Sequence, residues 1–66
     1  VSRVHLKQRQ EDVLKLLCVG FENKHVAARA HMTESNVERI RKQLMVLTRS
    51  NNAVQLGVWA VRNNLV

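Results

Sequence analysis

Proline is absent from these 66 residues, tyrosine is missing, cysteine occurs once, and Phe21 and Trp59 are the only aromatics. Each shortage excludes something. Without proline there is no proline-rich linker, and no low-complexity segment or internal repeat takes its place. Cys18 alone cannot form an internal disulfide, so it fits a reducing compartment, and the cytoplasm is the expected location. Two aromatics are too few for the stacking platforms that hold single-stranded nucleic acid. No apolar run approaches the roughly 20 residues of a membrane span, and no signal-peptide pattern appears. Acidic residues are scarce as well: five against 11 Lys and Arg, a formal charge of +6. Such a balance points to a polyanionic partner, nucleic acid first and an anionic membrane surface second. The membrane recedes because no segment joins a broad apolar face to a lysine-rich one.

The length allows one small domain, residues 1–66, of a size that buries only about 60% of its unfolded surface. Its stability is expected from compact helix packing, from a partner, or from a longer parent chain. The lack of an initiating Met fits an excised fragment. Val1 to His5 read as a ragged lead-in. Leu6, Val13, Leu14, Leu16, Leu17 and Phe21 then recur at spacings of three and four, which predicts a helix over Gln8–Val19 closed by Gly20. Glu11 and Asp12 precede Lys15 in it, the order that the helix dipole favours. Asn23 is the expected cap of a short second helix with Val26, Ala27 and Ala30 on one face. Lys24 then stands in a first turn, where a cation is unfavourable unless an external phosphate accompanies it.

After the turn at His31-Met32, Thr33 caps a third helix of about Glu34–Leu47. Val37, Ile40, Leu44 and Leu47 form its apolar stripe, while Ser35, Glu38, Arg39 and Lys42 fall on the opposite side. Two helices joined by a short turn, the second of them basic, make a helix-turn-helix. Thr48 to Asn52 form a polar connector, and a fourth helix is expected over Ala53–Asn63. Its Ala53, Leu56, Gly57 and Ala60 are small enough on one side for close packing on the domain. Val54, Val58, Val61 and Leu65 make an adjacent arc, wider than one surface helix needs. Either this helix is buried centrally, or its Val54–Val58–Val61 arc docks on its copy in a dimer; the second reading is preferred.

Taken together, the chain resembles the LuxR/GerE/FixJ-type DNA-binding domain, an all-α, four-helix helix-turn-helix module. The resemblance rests on Leu6, Arg9, Val13-Leu14, Leu16-Leu17, Gly20, Asn23-Lys24, Val26-Ala27, Thr33-Glu34-Ser35, Val37, Val58-Trp59-Ala60 and Leu65-Val66, in one ungapped register from Arg9 to Val37. The Thr-Glu-Ser entry and the Val-Trp pair look closest to the NarL-like response-regulator branch. The resemblance implies the C-terminal effector domain of a transcription regulator, dimeric on DNA through its fourth helix. Several positions depart from the family pattern. Lys7-Gln8 stand where Thr-Pro is usual, and Glu22-Asn23-Lys24-His25 loses the capping box. Glu38 replaces a base-facing Lys, the apolar residue at Ile40 comes one position early, and Ser50 replaces an apolar residue.

By the resemblance, Glu38, Arg39 and Lys42 reach base edges, and periodicity turns the same three outward with Ser35. Arg39 and Lys42 can donate to guanine, and Glu38 can accept from a cytosine amino group or pair with Lys42 or Arg41. Lys24, Arg41, Arg49 and Arg9 are the candidates for phosphate, with Asn23 as a further one at a helix start. Cys18, His5, His25 and His31 lack zinc-site spacing, and neither a phosphate-binding glycine loop nor a catalytic acid pair is present. No metal, cofactor or enzymatic activity is therefore expected. The expected function is sequence-specific binding of double-stranded DNA as a homodimer, with RNA polymerase as a further partner. The alternative is a protein-interaction module of the same fold, docking a regulator or polymerase subunit without reading DNA.

Overall fold

A computed structural model describes residues 6–65. The expected lead-in at Val1 to His5, and Val66 of the terminal Leu-Val pair, lie outside them. Four helices follow one another, α1 Gln8–Val19, α2 Asn23–Ala30, α3 Glu34–Thr48 and α4 Ala53–Arg62, with no strand among the described residues. The domain is all-α.

Local chemistry sets the helix starts. Thr33 Oγ1 accepts from Asn36 N at 3.2 Å and opens α3, as its position predicts. Asn52 Oδ1 does the same for Gln55 N at 2.9 Å, and Gln55 Oε1 reaches back to Asn51 N at 2.6 Å. At α1 the Lys7 side chain accepts nothing; half a capping box remains, in which Gln10 Oε1 accepts from Lys7 N at 3.0 Å. The expected cap at Asn23 is not formed. Glu22 takes the cap position with no side-chain bond, and Asn23 becomes the first helical residue.

The helix ends share one device. The amide two residues past the last turn bonds five residues back: Phe21 N to Leu16 O at 3.3 Å, Met32 N to Ala27 O at 2.9 Å, Ser50 N to Met45 O at 3.0 Å, Leu65 N to Ala60 O at 2.9 Å. Each requires a left-handed residue just before it. Gly20 (φ 107°) supplies the first, whereas His31 (φ 57°), Arg49 (φ 56°) and Asn64 (φ 58°) supply the rest with side chains attached.

The core is Val13 and Leu14 from α1, Val26 and Ala27 from α2, Val37, Ile40 and Leu44 from α3, and Leu56 and Ala60 from α4. α1 touches all three other helices; α2 and α4 do not touch each other. Two expectations need correction here. Leu47 does not complete the α3 stripe: it is 42% exposed, and Thr48 is buried in its place. Thr48 lies one residue further round, toward the flank of Arg41, which shares a concavity with Ala53 and Leu56 of α4. Its hydroxyl donates to Leu44 O at 2.7 Å, and Ser50, also buried, then donates to Thr48 Oγ1 at 2.7 Å. The position expected to be apolar thus carries a self-satisfied hydroxyl pair. On α4, Leu56 and Ala60 alone are buried; Ala53 is exposed and Gly57 borders open space, so neither provides the close packing expected of it.

This division of α3 predicts unequal costs. Leu44→Ala should cost about 2–5 kcal/mol, while Leu47→Ala should stay within about 0.5 kcal/mol of the parent. Urea unfolding followed by far-UV circular dichroism measures both, and equal losses would contradict the burial described.

Candidate functional site

With its inner stripe locked in the core, α3 turns Ser35, Glu38, Arg39 and Lys42 to solvent, all four exposed. They line one open concavity of about 700 Å³ together with Val46 and Leu47 of the same helix, Gln10 of α1 and Lys7 at the cap of α1. Gln10 Nε2 donates to Gln43 Oε1 at 3.3 Å, so the start of α1 is tied to one flank of α3. Among these residues Arg39 has a defined orientation: Nη2 donates to Asn36 Oδ1 at 2.7 Å. Glu38 forms no ion pair with Lys42 or Arg41 among the described residues. Its carboxylate is left to whatever approaches the face.

The candidate cations are distributed around this helix. Lys24, Asn23 and Arg41 come together at a second concavity, of about 490 Å³, where the start of α2 meets the opposite flank of α3. Glu22 and Glu34 line it too, so two acids stand beside the two cations. Asn23 is half-buried there, and the first turn of α2 has no side-chain cap. Arg9 lies apart, beside His31, Thr33 and Asn36 at the entry to α3, in a third depression of about 480 Å³. Arg49 is exposed at the left-handed residue that ends α3 and lines none of these three.

The valine arc of α4 stands out in solvent. Val54 is 76% exposed, Val61 62% and Val58 47%. Central burial of this helix is therefore not what the fold does. The arc faces the end of α1, where Cys18 and Val19 complete an apolar groove of about 560 Å³. Val19, 73% exposed, carries no interface signal in the sequence, where it reads only as the last residue before Gly20. Lys7, Gln10 and Asn36 were likewise not singled out. The Gln at the third position of α1 marks half a capping box and is the signal that points to Lys7 and Gln10.

Cys18 is half-buried and has no disulfide partner. Among the described residues no group of three metal-capable side chains comes together; His5 lies outside them. No helix of the described residues is long and apolar enough to cross a membrane.

No family model matches the chain, and no solved structure matches it significantly. Curated relatives do match, among them two regulators. The first, named "Probable transcriptional regulator ycf29", from Cyanophora paradoxa, is 30% identical over 64 residues, which is 97% of this chain and 30% of the relative. The second, the nitrate/nitrite response regulator protein NarL of Escherichia coli strain K12, is 35% identical over 54 residues, 82% of this chain and 25% of that protein. The chain thus spans less than a third of the length of either.

The groove between α1 and α4 can be probed through its thiol. Burial pushes the Cys18 thiol above its ordinary value, which lowers the thiolate fraction at any given pH. Alkylation of the native domain at pH 8 should run slower than in the urea-unfolded chain and rise with pH; equal rates would mean an open Cys18.

Proposed function

We propose, from the distant homology of this chain to regulators of the LuxR/GerE helix-turn-helix type, that the domain binds double-stranded DNA sequence-specifically and regulates transcription in the cytoplasm. α3 enters the major groove. The observation that carries this reading is the two-sided build of α3, a locked apolar stripe behind and an exposed donor-and-acceptor face in front, with cations on its flanks.

Base edges in the major groove present distinct donor and acceptor patterns. Arg39, braced by Asn36, and Lys42 donate to guanine; Glu38 accepts from the cytosine amino group; Ser35 does either. Lys24, Arg41, Arg49, Arg9 and Asn23 take phosphates, adding affinity through counterion release without regard to sequence. Glu22 and Glu34 lie beside the Lys24–Arg41 pair and keep that contact from being indiscriminately strong. The exposed Val54, Val58 and Val61 join two copies, so that two α3 helices meet half-sites about 34 Å apart. In this reading the domain is the C-terminal effector part of a longer regulator, and RNA polymerase is a partner of the assembled complex.

A second reading draws on Val46, 77% exposed in the same concavity as Glu38. An apolar side chain beside an unpaired acid suits a protein surface, so α3 would dock a regulator or polymerase subunit instead. Salt titration on a random duplex separates the two. Micromolar, steeply salt-dependent affinity is the expected result; none at low salt would sink the DNA reading.

Lys24→Ala should weaken binding to all sequences alike and reduce the salt slope by about 1. Arg39→Ala should cost about 1–3 kcal/mol, and only on the selected site. Equal losses for both variants on random and selected duplexes would refute the division of roles. Val58→Asp should lower affinity for a duplex with two half-sites while leaving a single half-site unchanged. The same drop on both would remove α4 from dimer formation.

A further inference from the structure

We infer that Lys7 is a further phosphate contact, placed by Gln10, which gives α3 a cation on the flank opposite Lys24 and Arg41. The inference rests on the proposed DNA reading and adds a residue to it.

Three observations meet at Lys7. It is exposed and lines the same concavity as the four outward residues of α3, although it stands at the cap of α1. Its backbone amide donates to Gln10 Oε1 at 3.0 Å, while the other end of that same amide group donates to Gln43 of α3 at 3.3 Å. One side chain therefore joins the Lys7 backbone to the α3 flank through both of its polar atoms. Lys24 and Arg41 occupy a different concavity, at the start of α2. Gln43 and Arg41 are two residues apart on α3, about 200° round the helix, so the two cationic sites lie on different flanks.

The geometry of the duplex gives this arrangement its use. The major groove is about 12 Å wide and bounded by a phosphate strand on each side. A helix of about 10 Å diameter seated in it has one strand along each flank. Lys24 and Arg41 face one strand, and Lys7 faces the other. A lysine ammonium acts on phosphate as a point charge that needs proximity more than a fixed angle. Its root must therefore be held near the groove while its stem stays free, and the Gln10 bridge does this. Lys15, exposed on the same helix but pointing away from the core, has no such place and serves as the control.

The test is the salt dependence of binding to a random duplex for the parent and for Lys7→Ala, Lys15→Ala, Lys24→Ala and Gln10→Ala. Circular dichroism first establishes that each variant is folded. Lys7→Ala should reduce the slope of log K against log salt by about 0.9, and Lys15→Ala should not. Lys7→Arg should restore it. Gln10→Ala should lower the slope in the parent but have no further effect in the Lys7→Ala background, which a merely structural role would not produce. If Lys7→Ala matches Lys15→Ala while Lys24→Ala still lowers the slope, Lys7 is no phosphate contact and the DNA reading stands. If the parent itself shows no salt-dependent binding, the DNA reading fails first.

Discussion

Val13 and Leu14, adjacent on α1 and both fully shielded from solvent, bring one helix into contact with the other three. Each such side chain contributes about 1.5–3 kcal/mol through burial, against a net stability of only about 5–15 kcal/mol for a whole domain. Because α2 and α4 never meet, they are joined only through α1 and α3, each of which touches all three other helices. The outward face of α3 is a by-product of this geometry. Val37, Ile40 and Leu44 are drawn onto the core, and Ser35, Glu38, Arg39 and Lys42 have nowhere to point but out.

Electrostatics divides along the same line. The exposed cations repel one another and are well solvated, so they add little to the stability of the fold, and at physiological salt such charges are screened within about 8 Å. Their value lies in what approaches from outside. Two of them at the α3 face owe their place to neutral amides: Asn36 orients Arg39, and Gln10 ties the backbone of Lys7 to Gln43. Amides hold a cation in place without neutralising it, as a carboxylate would. Glu38 is then the only acid among the four outward residues of α3.

The legible parts of this fold were those with a period or a punctuation mark. Thr33 before the α3 stripe and Gly20 after the α1 stripe located their helix ends, because each has one physical use at that place. Four elements and their order followed from spacing alone. What escaped notice depended on a neighbour. Leu47 and Thr48 follow Leu44 at three and four residues, spacings that periodicity does not separate, and tertiary packing buries Thr48. Asn23 has the chemistry of a cap, yet the chain places Glu22 there, where the backbone adopts the extended conformation. The outward residues of α3 are legible in the sequence. The joining of Lys24 with Arg41, and of Lys7 with Gln43, is not, since both are tertiary.

The corners of the molecule carry one more consequence. Three of the four left-handed turns are made by residues with a Cβ, and this conformation costs an L-residue about 1–2 kcal/mol relative to the right-handed one. Glycine would relieve that strain where α2 and α3 end, at His31 and Arg49. The domain therefore holds untapped thermal tolerance at two corners, and drawing on it would remove an imidazole and a guanidinium from the surface. A small core with little margin carries strained corners with polar side chains, and a version of this fold hardened against heat at Arg49 would give up a surface cation.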